Sequence, residues 1–263
     1  MPNKTLIEWC RNPDGTQGYS SNPITGCLFG CPYCYARRLA NGRLKPHYLS
    51  NRNISPVHDS NGSYNKAMTY GNPFYPRLWQ KKIDEIASIS VRNRKRRGIF
   101  VCDMSDLFGI GVPEPWTRKV LRAIELNGYD RFYLLTKQPQ NLEKFSPFPK
   151  NCWVGVSVTN REQGIEAALH LRNIKAGLLY LSFEPLLERV GPIRFKQAHE
   201  EVGMQGVGWV IIGAQTKPTI LPDFDWVMEI VVEAKKAGVP YFLKDSLEPM
   251  LGYSKGYQQL PEA

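Results

Sequence analysis

CWVGVSVTNREQGIEAALHLRNIKAGLLYLSFEP, residues 152–185, sets two short apolar runs on either side of a helical pattern. The runs 152–158 and 178–185 are near-continuous rather than strictly alternating, which suits strands of a parallel sheet buried on both faces. Residues 160–173 between them open at Asn160, a good N-cap, and predict a helix. Strand, helix and returning strand make a βαβ unit.

The rhythm continues on both sides. IFVCD (99–103), RFYLLTK (131–137), GWVIIG (208–213) and VPYFLK (239–244) read as further strands. PEPWTRKVLRAIELNG (113–128) opens with prolines and stops at Asn-Gly. DFDWVMEIVVEAKKAG (223–238) opens with aspartates and ends Lys-Lys-Ala-Gly, which matches the helix dipole and a C-cap glycine. The strand ends fall in steps of 22 to 34 residues, the period of repeated βα units. An earlier strand is expected in YSSNPITG (19–26), with CYARRLAN (34–41) opening the first helix. Residues 41–76, rich in Asn, Ser, Pro and Gly, read as an irregular loop insertion, and 77–89 as a helix. The expectation is an α/β protein in which residues 1–263 form a single domain.

With 263 residues and 42% hydrophobic composition the chain can bury a sizeable core. No apolar run approaches the roughly 18 residues of a membrane span. The opening MPNKTLIEWC lacks the pattern of a signal peptide, so the six cysteines are expected to be reduced or metal-bound in a cytoplasm. The net charge of +10, from 34 Lys+Arg against 24 Asp+Glu, favours a polyanionic partner such as nucleic acid; a basic surface that only aids solubility is the plainer reading. The run Arg92, Arg94, Lys95, Arg96 and Arg97 reads as a solvated boundary before a strand.

Polar residues cluster where the strands finish: Asp103, Ser105 and Asp106; Thr136 and Lys137; Ser157, Thr159 and Asn160; Ser182 and Glu184; Gln215 and Lys217; Lys244 and Asp245. The carboxyl ends of parallel strands line the ligand site in such folds. Each residue alone fits a turn or a cap, and Asn160 fits a cap well. Together they predict a site on one rim.

Three cysteines, Cys27, Cys31 and Cys34, fall in a C-x3-C-x2-C spacing at the end of the first expected strand. Three thiolates are one too few for a closed tetrahedral site. They can hold three irons of a [4Fe–4S] cluster and leave the fourth iron open to a small chelating molecule. Gly26 and Gly30 permit tight turns around such a bulky group. The rival is zinc on these thiols plus another Cys or a His, for which paired C-x2-C knuckles are expected and only one cluster occurs. Cys10 and Cys152 draw no role, and His47 and His58 lie in the irregular stretch with no metal motif around them.

This spacing, with the aromatic Tyr33 before the last cysteine, resembles the signature of radical S-adenosylmethionine enzymes. A closer resemblance runs through IEWC and NPITGC, CYARRLA, IFVCDMSDLFG, LLTKQPQNLEKF, NCWVGVSVTNREQ, LSFEPLL, WVIIGAQ and AGVPYFLKD. These look like a phage-associated, three-cysteine radical-enzyme-like family, more distantly similar to spore photoproduct lyase, a radical enzyme that repairs thymine lesions in DNA. The resemblance implies a partial (β/α) barrel of the radical enzyme type with about six to seven parallel strands. It implies a [4Fe–4S] cluster on Cys27, Cys31 and Cys34, with S-adenosylmethionine on the open iron. Tyr33 would lie near the adenine, with Asp103 and Ser105 at the methionine ammonium. Ser157, Thr159 and Asn160 would meet the ribose hydroxyls and the carboxylate. Glu184 would bind ribose or substrate, or form a structural salt bridge. Lys137 and Lys244 would face the carboxylate or an anionic substrate. Cys102 would return a hydrogen atom to a substrate radical, or else be a buried core cysteine.

The chain departs from the family pattern in one place: GAQTKP stands where Gly-Gly-Glu-Ser is expected, so Gln215 carries no acid. The implied partners are S-adenosylmethionine, a nucleic acid or nucleotide substrate, and an electron donor such as flavodoxin or ferredoxin. A radical enzyme for a small metabolite is a variant of this reading. The rival reading is a nucleic-acid-binding protein whose iron–sulfur or zinc site is purely structural, which would be indifferent to S-adenosylmethionine.

Overall fold

The computed structural model describes residues 2–56, 66–88, 94–191, 195–196 and 204–261. Its centre is one sheet of eight strands: β1 (Asn3–Lys4), β2 (Tyr19–Ser21), β3 (Gly98–Val101), β4 (Arg131–Thr136), β5 (Cys152–Ser157), β6 (Leu178–Phe183), β7 (Val207–Ile212) and β8 (Tyr241–Leu243). The strands lie side by side in chain order. β2 to β8 are parallel, and β1 pairs antiparallel with β2 at the edge. Seven parallel strands match the upper expected number, and the antiparallel edge strand is an addition. β1 and β8 do not pair among the described residues, so the barrel is not closed.

Helices fill the connections: α1 (Tyr35–Asn41), α2 (Lys45–Ser50), α3 (Lys66–Gly71), α4 (Gln80–Ala87), α5 (Glu114–Asn127), α6 (Arg161–Leu171) and α7 (Phe224–Lys236). Asn160 and Asp223 cap α6 and α7 with their side chains, and Gly128 ends α5 in the left-handed conformation. The stretch 41–76 departs from the expected irregular loop. It carries α2 and α3, and buried Arg77 ties it down by donating to the carbonyls of Asn51, Tyr70 and Asn72. Short helices with polar residues at their ends are a pattern that composition alone does not separate from a loop, and residues 57–65 of the stretch lie outside the described residues. The helix expected over 77–89 is shorter, because Arg77–Leu78 pairs with Ile24–Thr25 as a strand; residue 89 lies outside the described residues, as do His58 and Arg92.

The charge run is not simply solvated. Arg94 and Arg97 both grip the buried Asp130 carboxylate, at 2.7 and 2.8 Å, and Lys95 meets Asp14 at 3.0 Å. Part of the basic surplus is therefore spent on joining the entry of β3 to the α5–β4 turn.

The two faces of the sheet bury different chemistry. Ile99, Val101, Phe132, Leu134, Val154, Val156, Leu181, Phe183, Val210 and Ile212 pack in an aliphatic layer with Val120, Ile124, Ala167, Ile230 and Ala234 of the helices. Alternate positions on the same strands carry Phe100, Tyr133, Trp153, Tyr180, Trp209 and Phe242, a separate aromatic cluster. Trp9, from the segment between β1 and β2, touches the rings of Phe100, Tyr133, Tyr180 and Trp209 at 4.9 to 6.1 Å. Strands in a flat sheet are about 4.8 Å apart, so one ring reaches β3, β4, β6 and β7 together only if the sheet curls around it. The aromatic cluster is thus the filling of a curled, open barrel, and each buried ring contributes roughly 1.5–3 kcal/mol.

Candidate functional site

Side-chain alternation places the site. Continuing the inward positions past the aromatic layer gives Lys137 after Tyr133 and Leu135, Ser157 after Trp153 and Gly155, Ser182 and Glu184 after Tyr180, and Lys244 after Phe242. These polar groups stand above the aromatic floor at the carboxyl ends of the strands. Ser157 and Ser182 lie opposite each other in register.

The cysteine loop crosses the same end. Gly26, at φ +89°, starts it; a Cβ there would lie 2.7 Å from the Phe74 carbonyl oxygen, so no other residue lets the loop sit this close. The Cys27 amide donates to that carbonyl at 3.0 Å. The Phe29 amide points at the Cys27 sulfur, 3.4 Å away. Cys34 is the N-cap of α1, and its sulfur accepts from the Arg37 amide at 3.3 Å. Backbone N–H groups aimed at sulfur favour the thiolate form. Burial and the nearby Asp106 carboxylate push the Cys27 thiol up to about 12, and burial also raises Cys31. Burial thus works against the thiolate form of Cys27 and Cys31, an opposition that a nearby positive charge would relieve.

Three thiols of one loop are close enough to interact electrostatically. As a donor set they suit three irons of a cluster with the fourth left open, since a closed single-ion site needs a fourth ligand.

Two charged groups flank this loop without an opposite charge bonded to them among the described residues. The Lys137 ammonium is buried and meets no hydrogen-bond acceptor there. Burial lowers its pKa, against the pull of Cys31, Asp106, Glu184 and Cys34. The Asp103 carboxylate takes a 2.6 Å hydrogen bond from Asn22 and lies within reach of the Ser20 hydroxyl; burial raises its pKa. The buried hydroxyl of Ser182 and the amide nitrogen of Gln138 are also unpartnered. Each such orphan costs about 1–3 kcal/mol, which a single ring of the aromatic floor offsets.

The other expected site residues divide into groups. The Tyr33 hydroxyl lies within hydrogen-bonding reach of Thr159 and of the Cys31 thiol, so it joins the loop to the end of β5. Ser105 donates to the Ile24 carbonyl at 2.9 Å, which holds the turn after β3 against the segment entering the cysteine loop. Thr159 donates to the Gln163 side chain at 2.9 Å, and Asn160 is spent on its cap. Glu184 is bonded to the Lys244 ammonium and accepts from the Trp9 indole at 3.2 Å. Burial works against the Lys244 charge, but Glu184, Glu8 and Asp245 together outweigh it and raise its pKa. Asp106 accepts from the Phe108 and Lys137 amides and from Thr136, all at 3.0 Å, and so locks the ends of β3 and β4 together. Gln215 turns onto the Pro218 carbonyl within its own loop.

Cys102 is buried in the aliphatic layer at φ +68°, a left-handed conformation rare for a side chain. Its thiol faces Ser105 and the Ile24 carbonyl, and burial pushes it up to about 12, so it is a neutral S–H beneath the rim.

Ser20, Asn22, Glu8 and Trp9 were not anticipated. The first two precede the cysteine loop on β2 and just after it, and a strand ending at Ser21 would have pointed to them. Glu8 and Trp9 reach the rim by long-range packing and leave no local signal.

No curated protein matches the chain. Among solved structures it is similar to spore photoproduct lyase complexed with dinucleoside spore photoproduct, at 15% identity and a TM-score of 0.42 over 90% of this chain and 64% of that one. A mutant of that lyase with bound AdoMet and dinucleoside spore photoproduct aligns at 16% identity and a TM-score of 0.38, over 83% of this chain and 61% of that one. The chain therefore spans less than two thirds of the length of these structures. Among the described residues no helix is long and apolar enough to cross a membrane. Residues 4–251 match the protein family of unknown function DUF5131, and the protein belongs to that family.

Proposed function

We propose that the protein is a radical S-adenosylmethionine enzyme acting on a nucleic acid or nucleotide, in repair or base modification. The observation that carries the reading is the pair of flanking charges at the cysteine loop: a buried ammonium, Lys137, without an acceptor, and a buried carboxylate, Asp103, without a cation bonded to it. An α-amino acid end offers the complement, a carboxylate for Lys137 and an ammonium for Asp103. A structural metal site has no use for either group.

In this reading Cys27, Cys31 and Cys34 would hold a [4Fe–4S] cluster, and with an electron donor such as flavodoxin or ferredoxin in a reducing cytoplasm the chemistry it would supply is one-electron reductive cleavage of S-adenosylmethionine for hydrogen-atom abstraction. The chain's own residues hold, orient and shield. The Ser182 hydroxyl, buried and without a partner among the described residues, stands opposite Ser157 in register, and a ribose oxygen can supply the partner it lacks. Tyr33 bounds the adenine side, fixed by Thr159. Glu184 faces inward while Lys244 and Trp9 fix its oxygens. The aromatic floor excludes water beneath the site. Cys102 acts as hydrogen-atom donor only if the turn holding it opens, because its thiol is enclosed.

The test is anaerobic reconstitution with iron and sulfide, then reduction with S-adenosylmethionine present, reading 5′-deoxyadenosine by mass spectrometry. The expected result is its formation by the wild type and its loss in Cys31→Ala. A stably bound cluster that neither binds nor cleaves the cofactor would replace this reading with a structural one.

A further inference from the structure

Between Asp14 and Asp59 the sequence contains no acidic residue, while it carries Arg37, Arg38, Arg43, Lys45 and Arg52. The structure keeps most of this set at the surface of two neighbouring helices. Arg38, Arg43, Lys45 and Arg52 are exposed on and beside α1 and α2, which pack together. Their surroundings differ from those of basic residues elsewhere. Arg118, Arg122, Arg189 and Lys236 each meet a carboxylate within 2.5–2.7 Å. Among the described residues Arg38 donates only to the Lys217 carbonyl, at 2.7 Å, and Arg52 lies over the Tyr70 ring; neither they nor Arg43 and Lys45 meet a carboxylate. Four exposed cations that meet no carboxylate among the described residues call for an external polyanion.

Two aromatic side chains stand in the same stretch. Phe29, at the tip of the cysteine loop, is 38% exposed, and Tyr35, at the start of α1, is 45% exposed. The Tyr35 hydroxyl is turned inward onto the Asp103 carbonyl, so this partly exposed residue stands at the edge of the candidate site. α1 runs from this edge to the loop after β7, where Arg38 holds Lys217. Exposed rings beside unpaired cations are the elements of a single-strand platform: the rings stack bases and the cations hold phosphates. A duplex keeps its bases stacked on each other and has no use for the rings.

We propose that the α1–α2 face binds single-stranded nucleic acid, with Arg38, Arg43, Lys45 and Arg52 on phosphates and Phe29 and Tyr35 under bases, and leads the strand to the mouth of the candidate site. This deepens the proposed nucleic-acid function and rests on it for the substrate's destination, but the binding itself needs no cluster. A polymer, rather than a monomeric nucleotide, is the substrate this face serves.

The experiment is fluorescence anisotropy of a labelled oligothymidylate of about 12 nucleotides with the full chain, without added iron, across a series of salt concentrations. Four phosphate contacts give a slope of log affinity against log salt near −3, at about −0.7 per contact. Arg43→Gln with Lys45→Gln removes about 1.4 of that slope. Phe29→Ala weakens binding on the order of tenfold and leaves the slope unchanged. Unchanged affinity in these variants overturns the proposal, as does a duplex of equal length bound equally well with Phe29→Ala neutral. Absence of oligonucleotide binding overturns it too and assigns the face to an acidic protein. Strand binding through these residues by a chain that cleaves no S-adenosylmethionine sinks the radical reading alone; cofactor cleavage without strand binding sinks this one alone.

Discussion

The Lys137 ammonium lies 5.4 Å from the centre of the Tyr33 ring and meets no hydrogen-bond acceptor among the described residues. A cation on a ring face regains about 0.5–2 kcal/mol, less than the several kcal/mol that burying an ammonium costs. A group kept at a net loss to the fold belongs to function rather than stability. Lys137→Met therefore moves two quantities in opposite directions. The melting temperature rises, by an amount matching about 1 kcal/mol, while affinity for S-adenosylmethionine, read by calorimetry on the reconstituted protein, falls tenfold or more. A variant that loses stability and keeps cofactor affinity would make Lys137 a structural residue.

Gly155 is held by its neighbour across the sheet. A Cβ at this position would run into the Tyr180 ring, which is fully buried and whose hydroxyl donates to the Leu134 carbonyl at 3.0 Å. The ring cannot retreat without losing that bond and its contact with Trp9. Gly155→Ala is expected to destabilise the protein by about 1–3 kcal/mol, as overpacking does, in a denaturant titration. The companion change Tyr180→Phe keeps the ring, loses the hydroxyl and costs about 1 kcal/mol. A neutral Gly155→Ala would mean that the floor is looser than its ring contacts indicate.

Much of this fold could be read from the chain because the strands announce themselves as apolar runs, and the caps at Asn160 and Asp223 mark helix starts. The two-layer chemistry was present in the same runs and was hidden by treating them as continuous. Taken at every second position, Tyr133-Leu135-Lys137, Trp153-Gly155-Ser157 and Tyr180-Ser182-Glu184 each descend from ring to polar group, and they predict both the floor and the inward-facing rim. The helices within 41–76 were not legible, since Arg77 ties the described part of this stretch by bonding carbonyls five, seven and 26 residues before it. The roles of Ser105 and Thr159 were hidden for a related reason: a hydroxyl at a strand end serves a ligand or the backbone equally well until its acceptor is known. The ion pair of Glu184 with Lys244 joins strands 60 residues apart and follows from no local pattern.

The six cysteines separate by surroundings. Cys27, Cys31 and Cys34 are partly exposed on one loop, whereas Cys10, Cys102 and Cys152 are buried. Replacing any of the first three by alanine is expected to remove most of the bound iron after reconstitution. Cys102→Ala keeps the full iron content and costs about 1 kcal/mol of stability for the buried sulfur. If Cys102 donates a hydrogen atom, its alanine variant cleaves S-adenosylmethionine normally but misdirects the product; an unchanged product removes that role. Loss of iron in Cys102→Ala would mean that the turn after β3 shapes the cysteine loop.

Asp130 ties the charge run to the sheet, and its titration sets an acid limit on the fold. Burial works against its charge, but hydrogen bonds from Arg94 and Arg97 outweigh it and hold the carboxyl below its usual value. The folded state thus has the lower pKa. Its stabilising contribution is complete above the unfolded value of about 3.9 and disappears as pH falls through the folded value. Asp130→Asn leaves two half-buried guanidinium groups without their carboxylate and is expected to cost about 3 kcal/mol near neutral pH. The informative measurement is denaturant stability of both proteins from about pH 6 down to about pH 2. The wild type loses its advantage across the acid limb, so the two curves converge there. Parallel curves would place the acid sensitivity on other carboxylates and leave Asp130 as a packing contact.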